Sequence, residues 1–321
     1  MGEFELIRKH FQHALRPAGV ALGNGDDCAL LAPAPGMRLA VSTDMLVEGR
    51  HFLSTVDPEA LGHKALAVNL SDLAAMGAEP LAFTLALALP RVDDAWLAAF
   101  ARGLLGLADT HGCALVGGDT TAGPLNICIT VFGQVPEHLA LRRSAARVGD
   151  DIHLSGCVGD ARLALEVFRG TLALDAGPFA TVRAALERPA PRVALGLALR
   201  GVAHAAADVS DGLLGDLGHI LDASGVGAEV DTAWITDSIA VSPILRSVGG
   251  QFPYKFSLAG GDDYELVFTA PPTARAAVQA AATQASTPVT RIGRITAQTG
   301  LRVVNASGQA MARPASFDHF A

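Results

Sequence analysis

Short apolar runs alternating with segments of helical period constrain the fold of this chain more than any other feature. Leu81 to Leu89 is the longest run, and Thr84 interrupts it. A membrane-crossing helix needs about 20 apolar residues, so this run reads as a buried strand. Asp93 to Thr110 follows with an acidic, cap-forming start and predicts a helix, while Cys113 to Val116 and Ile127 to Val135 predict further strands. Upstream, Phe4, Ile7, Phe11 and Leu15 recur at helical spacing, which predicts a helix over Glu3 to Leu15. Cys28 to Ala32 and Leu39 to Val41 read as short strands. Asp57-Pro58-Glu59 is a strong helix start, because Asp caps free N–H groups and Pro already holds a helical φ. That helix is expected to run to about Met76 and stop at Gly77.

The polar stretch Pro136 to Asp150 is the expected domain boundary, and the same rhythm restarts after it. A strand at Ile152 to Leu154, a helix from Asp160 and another around Val193 to Leu199 are predicted. With 321 residues, the chain suits two domains or one duplicated unit. Half of the residues are hydrophobic but only 5% are aromatic, so Ala, Leu and Val must build the interior, as in closely packed α/β layers. Two motif pairs suggest duplication. Ser71-Asp72-Leu73 is followed 46 residues after Ser71 by Gly117-Gly118-Asp119, and Ser210-Asp211-Gly212 is followed 50 residues after Ser210 by Gly260-Gly261-Asp262. The expected fold class is therefore α/β (α+β), with two related α/β domains over residues 1–140 and 141–321.

Charge narrows the partners. The net charge is −8 and no Lys/Arg block is longer than Arg142-Arg143, so the electrostatic footprint of a nucleic-acid binder is missing. Four dispersed cysteines without a C-x-x-C pair argue against zinc or a disulfide framework and suit a reducing compartment. The acidic start Met1-Gly2-Glu3-Phe4-Glu5 has no signal-peptide pattern, and the expected location is the cytoplasm, away from membranes.

Acidic residues cluster beside glycine and hydroxyl residues: Gly23-Asn24-Gly25-Asp26-Asp27, Ser42-Thr43-Asp44, Asn69-Leu70-Ser71-Asp72, Gly118-Asp119-Thr120 and Asp208-Val209-Ser210-Asp211-Gly212. Such residues serve as turn and cap formers. They also offer hard oxygen ligands, and carboxylates from several loops can hold Mg²⁺ together with nucleotide phosphates. Five such motifs in a chain of low charge content favour the second reading. Known nucleotide signatures are absent: the sequence has no Gly-Lys dipeptide, no third glycine after Gly23-Asn24-Gly25, and neither kinase triplet.

Gly25 to Ala29, Ser42-Thr43-Asp44, His51-Phe52, Lys64 to Gly77, Gly117 to Thr121, Asp208 to Gly212, Gly260 to Leu266 and Phe317 to Phe320, taken together and in order, resemble the thiamine-monophosphate kinase family. That family belongs to an ATP-binding superfamily with aminoimidazole-ribotide synthetase, selenophosphate synthetase and a hydrogenase-maturation protein. The resemblance implies an N-terminal α/β domain whose sheet pairs with that of a second subunit in a homodimer, and a C-terminal α/β domain packed behind it. It also implies ATP held with several Mg²⁺ ions, and thiamine monophosphate as phosphoryl acceptor. Carried over by position, Asp27, Ser42, Thr43, Asp44, Asp72, Asp119, Asp208 and Asp211 would be metal ligands, with Asp44, Asp72, Asp119 and Asp211 central to catalysis. Gly118, Asp119, Arg143 and Ser210 would contact ATP, and His51, Asp262 and Phe317 the thiamine phosphate. Many relatives carry Glu where this chain has Asp262. Two rival readings differ in what they predict: a ribotide synthetase-like enzyme would show no thiamine-phosphate dependence, and a nucleotide-binding scaffold would bind ATP without turnover.

A phosphate monoester acceptor is largely a dianion at neutral pH and needs no base to become nucleophilic, so repulsion between phosphates is the obstacle. Magnesium on aspartates and the fixed fork of Arg143 would offset it, which predicts direct in-line transfer without a phospho-enzyme.

Overall fold

The computed structural model describes residues 3–315, and Phe317 therefore lies outside the described residues. The chain divides into two units: residues up to Leu73 with Ala78–His138, and Ala74–Gly77 with the residues from Leu139 onward.

The first unit begins with α1 (Glu3–His10), the short pair β1 (Val20–Leu22) and β2 (Leu30–Leu31), and the long strand β3 (Met37–Val47). Next come α2 (Pro58–Ala75), β4 (Glu79–Leu89), α3 (Asp94–His111), β5 (Ala114–Ala122) and β6 (Asn126–Pro136). Four of the strands form a sheet in the order β3-β6-β4-β5, in which only the β4–β5 pair is parallel. Strands β3 and β6 stay in unbroken register from Met37 opposite Pro136 to Val47 opposite Asn126. Alternate residues reach opposite faces of a strand, and here Phe83, Leu85, Leu87, Ile127, Ile129 and Val131 are all buried on one of them.

Helix α2 is buried almost all round, with Leu61, Leu66, Ala67, Leu70 and Leu73 at most 1% exposed, so it has no polar stripe. Its start is as expected: the Asp57 carboxylate accepts the Ala60 N–H at 3.0 Å, and Pro58 is the first helical residue. Helices α2 and α3 touch through glycine. A Cβ on Gly62 would fall 2.0 Å from the Phe100 carbonyl oxygen, and one on Gly103 would fall 1.8 Å from that of Glu59. Helix α3 is also as expected, with Asp93 capping Trp96 N–H at 3.1 Å and Gly112 closing the end at φ 62°.

Three expectations are corrected in this unit. Helix α1 stops at His10 rather than Leu15, because His13 is held elsewhere: its Nε2 meets Asp109 at 2.9 Å and its Nδ1 accepts the Leu115 N–H at 3.1 Å. The Cys28 to Ala32 strand shrinks to two residues. Strands β3 and β5 run well past their apolar cores, so Ser42-Thr43-Asp44 and Gly117-Gly118-Asp119 lie inside strands.

The second unit opens with β7 (Asp151–Ser155), α4 (Asp160–Phe168), α5 (Ala176–Glu187), α6 (Val193–Ala198) and β8 (Ala205–Asp208). It continues with α7 (Leu213–Ser224), β9 (Gly227–Asp231), α8 (Thr232–Thr236), α9 (Pro243–Val248) and α10 (Phe252–Ala259). The last elements are β10 (Leu266–Ala270), α11 (Arg275–Gln284), β11 (Val289–Thr296) and β12 (Gly300–Val304). Its sheet has the order β12-β9-β11-β7-β10-β8, and only β12–β9 is parallel. Ile152, Leu154, Val267, Val230 and Ile292 from the strands join Leu163 of α4 and Leu217 and Leu221 of α7 in one apolar core. The mixed α/β class expected from the sequence is the one observed.

Candidate active site

In the first unit, the N-terminal segment, the turn after β1 and the middle of β5 line a cavity of about 650 Å³. Asn24, Asp26 and Asp27 come from the turn after β1, and Gly117, Gly118 and Asp119 from β5. Ile7, Arg8, Phe11 and Gln12 also line it. Strand β5 can approach β4 here only because residue 118 is glycine. Its φ is 145°, and a Cβ would fall 1.9 Å from the Leu85 carbonyl oxygen. Asp119 follows Gly118 in the strand, opposite Ala86, and is exposed together with Asp26 and Asp27. A fourth group, the amide of Asn24, lines the same cavity, and its buried Oδ1 has no hydrogen-bond partner among the described residues. Acceptor-only carboxylates beside an unsatisfied amide oxygen fit a hard cation. Among the described residues, no three His, Cys, Asp or Glu side chains stand close enough to hold a metal by themselves.

Strand β3 and helix α2 carry the next group. Ser42 Oγ donates to Asp72 Oδ2 at 2.5 Å, and the Asp44 N–H donates to Asn69 Oδ1 at 3.1 Å. Asn69 is itself fixed by donating to the Ala65 carbonyl at 3.0 Å. Ser42 and Asp44, two apart on a strand, share a face. Thr43 faces the other way and shares a hydrogen bond of 2.9 Å with Thr130 of β6. The thiol of Cys128 is pushed up by its burial and by the charge of Asp44. His51 is half-buried, and its Nδ1 accepts the Val47 N–H at 3.0 Å, which makes Nε2 the protonated nitrogen of the neutral ring.

In the second unit, the segments 208–212 and 260–265 lie side by side. Val209 N–H donates to the Glu265 carbonyl at 2.8 Å, Tyr264 N–H to that of Val209 at 2.9 Å, and Asp262 N–H to that of Ser210 at 2.7 Å. Asp262 and Tyr264 hold positive φ, 65° and 51°, an unfavourable region for a non-glycine residue that must be maintained by its surroundings. Arg192 supplies part of that support by gripping Glu265 with two hydrogen bonds of 2.7 and 2.5 Å, while Ser155 Oγ donates to the same carboxylate at 2.5 Å. Asp263 accepts the Gly159 N–H at 2.8 Å, and burial pushes its carboxyl well above the usual range. Asp216 Oδ2 accepts the N–H groups of Ser210, Asp211 and Gly212 at 3.0, 3.1 and 3.1 Å. Burial and then the charge of Asp211 raise Asp216 to about 7, against the lowering effect of these three bonds.

The structure thus groups Asp27, Gly118 and Asp119 in one cavity, and Ser42 with Asp72 in one hydrogen bond. Asp208, Ser210, Asp211 and Asp262 lie on the paired segments of the second unit. Arg143 is exposed in a 3-10 turn, and its carbonyl accepts Ser224 Oγ at 2.7 Å. Asp26 and Asn24 were within a recognised motif but were not singled out, and their cavity position is the signal that finds them. Asp216 and Arg192 had no sequence signal beyond an acid in a first turn and an arginine before a helix.

Residues 25–135 match the family model of the AIR synthase related protein N-terminal domain, and residues 148–305 match that of its C-terminal domain. The thiamine-monophosphate kinase of Salmonella typhimurium is 44% identical over all of this chain and 98% of its own length. The chain belongs to the thiamine-monophosphate kinase family. Among solved structures, the thiamine-monophosphate kinase of Stenotrophomonas maltophilia K279a is 46% identical with a TM-score of 0.87, covering 97% of this chain and 98% of its own. AaThiL complexed with AMPPCP and TMP is 28% identical with a TM-score of 0.78, over 99% and 96% of the two chains. The family's two-part pattern divides this chain between residues 135 and 148, and the two units of the structure meet in sequence at His138 and Leu139.

Proposed function

We propose that this protein transfers the γ-phosphoryl group of ATP to thiamine monophosphate, giving thiamine diphosphate and ADP. The observation that carries this is full-length membership of the thiamine-monophosphate kinase family, whose relative AaThiL was captured with AMPPCP and TMP over nearly the whole span of this chain.

The exposed carboxylates of Asp27 and Asp119 and the Ser42–Asp72–Asp44 group are assigned to Mg²⁺, in keeping with their hard oxygen donors. Asp208 and Asp211 in the second unit are assigned the same role, Ser210, Gly118 and Arg143 the nucleotide, and His51, Asp262 and Phe317 the acceptor. Since the described side chains alone make no three-ligand cluster, water and phosphate oxygens would complete each coordination shell, as is usual for Mg²⁺. Mg²⁺ held by these residues would supply positive charge against the repulsion between the phosphates. What the chain itself contributes is alignment: Asn69 fixes the backbone at Asp44, Gly118 lets β5 approach β4 beside Asp119, and Arg143 carries a fixed positive fork.

Homodimerisation is proposed from the sheet of the first unit. Leu39, Val41 and Met45 alternate along the edge strand β3 and are 44%, 55% and 54% exposed. An eleven-residue edge strand with an apolar face invites pairing with a second copy. No described helix is long and apolar enough to cross a membrane, and we propose the cytoplasm as the site of action.

The reaction is tested by incubating the protein with MgATP and thiamine monophosphate and separating the products by chromatography. Thiamine diphosphate and ADP in equal amounts, both abolished by EDTA, are expected. ATP hydrolysis without thiamine diphosphate would point to a ribotide synthetase-like activity, and ATP binding without turnover to a scaffold.

A further inference from the structure

We infer that Asp216 is a positioning residue that shapes the segment carrying Ser210 and Asp211 by filling the cradle formed by its backbone; this inference rests on the phosphotransferase reading above. Three consecutive N–H groups, those of Ser210, Asp211 and Gly212, converge on one oxygen, Asp216 Oδ2, at 3.0 to 3.1 Å. Successive N–H groups pointing inward make a concavity that attracts anions, and phosphate-binding loops use such nests to hold nucleotides. Here an internal carboxylate, only 2% exposed, occupies the nest. The amides of residues 210–212 are thereby committed to the protein, and the segment is left to act through its side chains.

The arrangement has a second consequence. While the N–H groups of residues 210–212 turn in toward Asp216, the Gly212 carbonyl accepts the Asp216 N–H, and the Ser210 and Val209 carbonyls accept the Asp262 and Tyr264 N–H groups. Asp216 therefore stands behind both the Ser210–Asp211 pair and the positive-φ position of Asp262. An ordinary helix cap would satisfy one or two free N–H groups near a helix start. Asp216 lies inside the first turns of α7 and reaches back to three residues before it, Ser210 to Gly212.

The test uses the full chain with Asp216→Ala and Asp216→Asn, and reads the dissociation constant of Mg–AMPPCP by calorimetry alongside the Mg²⁺ concentration giving half-maximal thiamine diphosphate formation. Loss of a carboxylate accepting several N–H groups is expected to raise both by about twentyfold in Asp216→Ala. Asp216→Asn keeps an acceptor oxygen in place, and a rise of roughly two- to fivefold is expected. Formate, small enough to enter the vacated nest, should recover part of the loss in Asp216→Ala and none in wild type. An Asp216→Ala protein with wild-type values, or an Asp216→Asn protein as impaired as Asp216→Ala, would overturn the inference. Should Asp216→Ala fail to fold, Asp216→Asn decides alone, with unchanged values counting against it. A wild-type chain that binds Mg–AMPPCP but makes no thiamine diphosphate would remove the reaction reading and leave the Asp216 measurement interpretable.

Discussion

The tripeptide Gly-Gly-Asp occurs at 117–119 and again at 260–262, and the two copies adopt different structures. In the first unit it is part of the long strand β5, where Gly118 lets the backbone press against β4 and Asp119 lines a cavity. In the second it follows helix α10 and forms a loop in which Gly261 and Asp262 hold φ of 72° and 65°. The partner motifs diverge as well. Ser71-Asp72 lies inside the buried helix α2, whereas Ser210-Asp211 lies in an extended turn before α7. Flanking residues account for this: apolar Ala114 to Val116 lead the first copy straight on from a strand, while the second emerges from a helix end. A short motif marks chemistry, and its surroundings decide how that chemistry is presented.

This contrast predicts unequal consequences for matched substitutions. The largest concerns the Ser-Asp pair. Asp72→Ala removes a carboxylate bound to Ser42 in a rigid helix and is expected to lower kcat by about a thousandfold with the circular dichroism spectrum unchanged. Asp211→Ala, on a turn whose backbone Asp216 holds independently of the Asp211 side chain, should cost only about ten- to a hundredfold. Equal losses would break the distinction between helix and turn.

The glycines come next. Gly118→Ala places a Cβ 1.9 Å from a backbone oxygen and should destabilise the first unit by about 3 kcal/mol in urea unfolding. Gly261→Ala meets the Ser210 carbonyl at 2.7 Å, and roughly 1 to 2 kcal/mol is expected. The reverse order would mean that strand β5 yields more easily than the loop.

Acid sharpens the comparison least, and it acts on the second unit. His153 is buried, neither ring nitrogen has a hydrogen-bond partner among the described residues, and the ring stacks on Phe268 at 5.1 Å. Burial lowers its pKa from 6.5 to about 4. Between these values the unfolded chain binds more protons, so stability contributed by neutral His153 is full above about pH 6.5 and declines as pH falls toward 4. His153→Leu should flatten this slope, gaining about 2 kcal/mol over wild type at pH 4.5 relative to pH 7. Parallel slopes in denaturant titrations would exclude His153 as the source.

Much of the frame was legible in the sequence, since caps and breakers act locally. Asp57-Pro58 started α2, Asp93 started α3, and Gly77 holds φ 62° just past the end of α2. What was not legible depends on distant partners. The end of α1 is set by His13 bonding Asp109 and Leu115, about a hundred residues away. Strand β3 was underestimated because an edge strand tolerates polar residues, and Ser42-Thr43-Asp44 hid its continuation. The candidate site followed the same rule. The acidic motifs marked Asp27, Asp72 and Asp119 directly, but Asp216 becomes visible only when three amides are seen to converge on it.

The most direct test of the account compares thiamine diphosphate formation by wild type, Asp119→Asn and Asp262→Asn at saturating Mg²⁺. Robust product from wild type is predicted, with Asp119→Asn slower by about a thousandfold in kcat and Asp262→Asn altered mainly in KM for thiamine monophosphate, by roughly tenfold. No thiamine diphosphate from wild type, or an Asp119→Asn protein as fast as wild type, would contradict it.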